Sequence, residues 1–146
     1  IYTKTYTLSL HDALPIYKNE LFGDTAWMET LECALKVMKF VARVYVNGEG
    51  GPSLGMINKE LKINTGKLRI VLQELVDLHI LVEAKEEDDY FYYPAFDLHT
   101  MSVGDIIVRF SRVDESRDEI WKKQFKETVL SGFAGDRLIV DSGAQQ

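Results

Sequence analysis

Residues 53–78 read SLGMINKELKINTGKLRIVLQELVDL, and the punctuation within them decides the fold. Ser53 is a good N-cap for a short helix whose apolar positions are Leu54, Ile57 and Leu61. Gly55 inside that helix costs about 1 kcal/mol of propensity against alanine, so the helix must lean on tertiary packing. A turn at Ile63-Asn64 leads to another helix, capped by Asn64 or Thr65, with Leu68, Val71, Leu72, Leu75 and Leu78 facing inward. Two helices joined by so short a connector form a helix-turn-helix. After His79 the period of the pattern changes from 3.6 to 2. Leu81 to Lys85 and Tyr90 to Tyr93 flank a polar tip, Glu86-Glu87-Asp88-Asp89, which predicts a β-hairpin. Pro94 ends the second strand because proline cannot donate to an interior ladder.

Upstream lies a long helix. Met28, Leu31, Leu35, Met38, Ala42 and Tyr45 recur at spacings of three and four, and Trp27, Ala34, Val37, Val41 and Val44 widen the stripe, so most of the helix is buried. Asp24 or Thr25 starts it; Asn47-Gly48 and Gly50-Gly51-Pro52 stop it. Downstream, Ser102 and Asp105 resemble a capping box that opens a helix with Val103, Ile106, Ile107 and Phe110. A last amphipathic helix is expected from about Glu115 to Leu130, with Ile120, Trp121, Phe125 and Val129 inward and an acidic first turn suited to the helix dipole. Long helix, short helix, turn, helix, two-stranded wing: the order predicts a mainly α winged helix-turn-helix with a small β-hairpin and additional C-terminal helices. The expected layout is a winged-helix domain over 24–112 and a C-terminal helix and tail over 113–146.

The chain has 146 residues, 46% hydrophobic and 27% charged, with a formal net charge of −6. That length suits one domain and lets it bury a core without staples. Its single cysteine, Cys33, excludes an intrachain disulfide framework or a thiolate zinc site. No apolar run of about 18 residues occurs, so a transmembrane helix is excluded from this stretch. The acidic balance argues against a general nucleic-acid binder.

Catalytic patterns are absent. His79 and His99 have no second histidine or cysteine at the spacing a metal needs, and ordinary surface or capping roles are expected of both. Cys33 lies near the apolar stripe of the long helix and reads as a packed thiol. No G-x-S-x-G motif occurs, and the glycine-rich 48–52 loop lacks the lysine and hydroxyl of a phosphate loop. The expectation is a non-enzymatic protein with no catalytic, cofactor or metal residues.

Two surfaces remain. A DNA-binding winged helix sets its third helix in the major groove and its wing beside phosphates. Lys62, Lys67 and Arg69 could contact phosphates, and Thr65 or Gln73 could lie near bases. The wing, however, sets Glu83, Glu86, Glu87, Asp88 and Asp89 against Lys85 alone, which opposes a phosphate array. The second surface is the aromatic run Tyr90, Phe91, Tyr92 and Tyr93. One alternate set is expected on the core and the other facing out as a protein contact.

Two families resemble this chain. Leu35 to Tyr45, Leu54-Gly55-Met56-Ile57, Leu68 to Leu81, Tyr93 to Asp97 and Ser102 to Ile107 resemble the winged-helix repressors that sense iron–sulphur status. Those carry three clustered cysteines after the wing, and this chain has none there. The closer resemblance is to the C-terminal cytoplasmic extension of the YihY/BrkB family of bacterial inner-membrane proteins. It rests on Val41-Ala42-Arg43, Gly48-Glu49-Gly50, Leu75-Val76, Ile80 to Glu83, Tyr93 to Leu98, Met101 to Ile106 and Trp121. It implies a cytoplasmic interaction domain tethered to the inner membrane, with its own membrane domain or another protein as partner, and transfers no catalytic residue. Under the rival reading the chain is a DNA-binding regulator acting as a homodimer. Residues 1–17 lack any period, and Thr7 to Ile16 resemble a translated sequencing adapter. They are expected to be a non-native or disordered leader, and the adapter resemblance implies the further expectation that the chain is a fragment of a longer protein.

Overall fold

A computed structural model describes residues 25–112, 118–133 and 138. The expectations for 1–17, Asp24, Glu115 and most of the C-terminal tail therefore lie outside the described residues. The elements are α1 (Thr25–Val46), α2 (Leu54–Leu61), α3 (Thr65–Asp77), β1 (Leu81–Glu86), β2 (Asp89–Pro94), α4 (Val103–Ser111) and α5 (Glu119–Gly132). Among the described residues the fold is the expected one: mostly helical, with a helix-turn-helix followed by one antiparallel hairpin. No helix among the described residues is long and apolar enough to cross a membrane.

The chain forms two compact units. One comprises Cys33–Met101 together with Leu138, and so contains most of α1, the helix-turn-helix and the hairpin. Its buried apolar side chains include Val37, Met38 and Val41 of α1, Ile57 of α2, Leu68, Val71, Leu72 and Leu75 of α3, and Ile80 and Leu81 at the entry to the wing. Tyr45, read as inward, is half exposed, because the buried stripe ends at Val44 before the last turn of α1. The hairpin is one residue longer at each inner end than its sequence suggests. Glu86 pairs with Asp89, leaving a two-residue turn in which Glu87 takes a left-handed φ of 57°. Charge at the tip had disguised those two strand positions. The 51–53 segment lies along the other edge of β2. Ser53 bridges Phe91, and the Tyr92 amide donates to the Pro52 carbonyl over 3.0 Å. A β-carbon on Gly51 would stand 2.5 Å from the Tyr92 carbonyl oxygen and 2.8 Å from the Tyr93 ring, so only glycine fits that approach.

The other unit contains the start of α1 to Glu32, α4 and α5. The capping box forms in full: Asp105 N–H donates to Ser102 Oγ at 3.1 Å, and Ser102 N–H donates to Asp105 Oδ2 at 2.9 Å. The helices α4 and α5 pack together at Gly104, where an added β-carbon would come within 3.2 Å of Leu130 Cδ2. Asp118 caps α5 through the Trp121 amide, so the helix starts later than its sequence suggests. Ile120, expected inward, is 73% exposed. The inward line runs Trp121, Phe125, Val129 and Phe133 at steps of four, the last three buried and Trp121 half-buried, with the Trp121 and Phe125 rings stacked at 5.2 Å. Ile120 stands about 100° around the helix from that line.

Candidate nucleic-acid interface

The turn between α2 and α3 is fixed by side chains from both helices. Lys62 closes α2 in the left-handed region at φ 54°, its amide donating to the Asn58 carbonyl. The Asn58 carboxamide donates to the Ile63 carbonyl at 2.6 Å and to Thr65 Oγ1 at 3.3 Å, joining α2 to the turn and to the first residue of α3. Asn64 is the cap of α3, its Oδ1 accepting from the Gly66 and Lys67 amides at 2.9 and 3.2 Å. These bonds satisfy donors that a helix start leaves without intrahelical partners, and they set the angle at which α3 leaves the turn.

With Leu68, Val71, Leu72 and Leu75 buried, the opposite side of α3 follows from about 100° of rotation per residue. Its midline is Gly66, Ile70, Gln73 and Asp77, all exposed. Arg69 lies on one flank of that midline and Lys67 on the other, both exposed. Gln73 does sit on the midline, its Nε2 donating to Asp77 Oδ1 at 2.9 Å. Thr65 lies to the side and is engaged by Asn58, and Lys62 projects from the turn, exposed. Ile70, which sequence reading passed over, is 68% exposed at the middle of this face. The signal that could have found it was the wheel itself: it stands opposite the four inward leucine and valine positions.

The wing is a different surface. Glu86, Glu87, Asp88 and Asp89 are exposed, and Lys85 rests its ammonium 5.8 Å from the centre of the Tyr90 ring. Tyr92 is buried, 4% exposed, and its hydroxyl donates to Glu83 Oε2 at 2.7 Å. Burial, followed by the hydrogen bond to Glu83 and that carboxylate's charge, raises the Tyr92 hydroxyl above the usual tyrosine range; Arg69 pulls weakly the other way. Tyr90, Phe91 and Tyr93 are half-buried. The 51–53 segment pairs with the backbone of Phe91 and lies against the Tyr93 ring. The exposed apolar side chain of the wing is Val82, opposite Tyr93. Cys33 is buried, which raises its thiol, with Lys67 and Lys36 opposing. His79 holds a left-handed φ of 60° at the exit of α3 and is exposed, as is His99. Among the described residues no group of three or more histidine, cysteine, aspartate or glutamate side chains is placed to hold a metal ion.

No protein-family model and no curated protein matches the chain. Among solved structures it is similar to CymR (YrzC), the global cysteine regulator of B. subtilis, with a TM-score of 0.56 and 18% identity over 75% of this chain and 89% of that one. It is also similar to Staphylococcus aureus CymR, with a TM-score of 0.56 and 20% identity over 77% of this chain and 98% of that one. At these identities the likeness is one of fold, and the fold is the winged helix. The B. subtilis neighbour is a regulator. The two structures agree with the resemblance to winged-helix repressors. The resemblance to the YihY/BrkB extension, with the membrane domain and tether it implied, gains no support from them.

Proposed function

We propose that this chain is a DNA-binding transcriptional regulator, not an enzyme, that reads duplex DNA through α3. The reading rests on one observation: Lys67 and Arg69 flank an uncharged stretch, Gly66-Ile70-Gln73, at the centre of the exposed face of the helix that follows the turn. A helix in the major groove needs cations at its edges for the two phosphate backbones and a neutral centre for base edges. The likeness of fold to a regulator supports the same reading. Lys62 adds a third cation at the entry to α3. A cytoplasmic homodimer, presenting two copies of α3 to a two-fold site, completes the proposal.

The acidic wing favours a second reading, the protein-interaction module that the sequence first suggested. Five exposed carboxylates against Lys85 make the hairpin a poor phosphate clamp, and Val82, 49% exposed, offers an apolar contact on its open face. One experiment separates the two. Duplexes are selected from a random library at about 0.15 M salt, and affinity is then measured against salt concentration. A regulator enriches one palindromic site, binds it with a dissociation constant of about 10⁻⁸ M or tighter, and loses it when Lys67→Ala and Arg69→Ala are combined. Absence of any enriched site, with binding no tighter than about 10⁻⁴ M, refutes the regulator and leaves the module.

A further inference from the structure

Single exposed apolar residues are common on protein surfaces, and most need no explanation. Ile70 differs in where it stands. It is a β-branched residue on a helix, where branching costs χ1 freedom, and at 68% exposure it gains little from packing. It occupies the midline of α3 between the two flanking cations. One turn earlier on the same line is Gly66, where α3 carries no side chain at all. The absence of a β-carbon there also suits the cap, since one would come within 3.2 Å of Asn64 Oδ1. One turn later is Gln73, a carboxamide. The face therefore offers, in order along its axis, bare backbone, a branched hydrocarbon and an amide, the last tied to the Asp77 carboxylate at the far end.

We infer that Ile70 is a specificity-determining residue that selects thymine, its methyl groups packing on the thymine C5-methyl in the major groove. The inference rests on the DNA-binding reading above and adds a base to it. Of the four base-pair edges in that groove, thymine presents the methyl group, while guanine and cytosine present acceptors and a donor. A hydrocarbon pressed on those polar groups would strip them of water without replacing the hydrogen bonds, a cost that the thymine methyl does not incur. Gly66 lets the α3 backbone come close on one side. Lys67 and Arg69, on opposite flanks, hold the helix in register on the phosphates.

The test replaces each thymine of the selected duplex singly by deoxyuridine, which removes the C5-methyl and leaves the hydrogen-bonding groups intact. With the wild-type chain, one thymine in each half-site should show roughly fourfold weaker binding on replacement, the loss expected for one buried methyl-sized group. With Ile70→Ala the same replacement should have no effect, while the salt dependence set by Lys67 and Arg69 stays as in the wild type. Equal sensitivity of the two chains to deoxyuridine, or indifference of the wild type at every thymine, overturns the assignment while the regulator reading stands. Unchanged thymine sensitivity in Ile70→Ala with a shift in its sedimentation also overturns it, assigning Ile70 to a protein contact. Failure to select any duplex defeats the regulator reading itself, and this inference with it.

Discussion

The helix α3 and the wing that follows it belong to the same compact unit, yet they present opposite chemistry to solvent. The exposed face of α3 has cations on its flanks and an uncharged midline from Gly66 to Gln73 that ends at Asp77; the wing has carboxylates around a two-residue turn. They are also built differently. The buried side of α3 is four aliphatic residues, and the bonds on its other side are local ones, the Asn64 cap, the Asn58–Thr65 contact and the Gln73–Asp77 hydrogen bond. The wing anchors through its own middle, with Tyr92 buried, its hydroxyl tied to Glu83, and Phe91 bridged to Ser53. In this molecule the hairpin packs on both helices of the helix-turn-helix, and under the proposed reading phosphate attraction would come from α3 and the preceding turn rather than from the wing. The affinity of such a surface should depend on few counterions.

The largest effect should separate the two sides of α3. Leu72→Ala removes a side chain that is 1% exposed, and a destabilisation of about 2–5 kcal/mol is expected, the range for truncating a buried leucine. Lys67→Ala, on the exposed flank, should leave the urea midpoint almost unmoved. Equal shifts would mean that the helix is rotated from the register described.

That register was legible in the sequence, because spacings of three and four among Leu68, Val71, Leu72 and Leu75 leave one solution. Caps at Ser53, Asn64 and Ser102 were legible for a related reason: each places a short polar side chain just ahead of an apolar period. The wing was harder. Glu86 and Asp89 pair across the hairpin although their charge marks them as turn, and the partial cover of Tyr93 depends on Gly51, some forty residues away in sequence. Ile120 misled because an apolar residue beside a stripe is indistinguishable from one within it until the helix start is fixed at Glu119. Of the candidate site, the cations were visible as composition, whereas the midline that singles out Ile70 required the helical wheel to be read from its exposed side.

Next in size is the loss of the flanking cations. Combining Lys67→Ala with Arg69→Ala should weaken binding to a selected duplex more than tenfold at 0.15 M salt. It should also flatten the plot of log affinity against log salt by about 2, near 0.9 for each phosphate contact removed. An unchanged slope would place the phosphate contacts elsewhere.

A smaller change of opposite sign is expected from the wing. Replacing Glu86, Glu87, Asp88 and Asp89 by their amides removes four exposed negative charges. If the wing lies beside phosphates, binding should tighten severalfold, most clearly at low salt where screening is weakest. Indifference to the replacement at about 0.01 M salt would show that the wing stands beyond the reach of the DNA, and the contrast between the two regions would then be structural only.

The smallest effect concerns how the wing is anchored. The Tyr92 hydroxyl is held above its ordinary value of about 10 by burial and by Glu83, so the folded chain keeps that proton where the unfolded chain gives it up. Below about pH 10 both states are protonated and the contribution of the group is complete; above it the unfolded state ionises first, and the contribution declines as pH rises. Tyr92→Phe keeps the ring and loses only the hydroxyl. At neutral pH it should cost at most about 1 kcal/mol, the scale of one hydrogen bond. The other tyrosines titrate in both chains and cancel in the comparison. The gap in unfolding free energy between wild type and Tyr92→Phe should therefore narrow between pH 9.5 and 11, measured by urea denaturation at each pH. Parallel curves across that window would mean that the hydroxyl reaches water as readily in the folded wing as in the unfolded chain, and that the wing is anchored by its ring and backbone contacts alone.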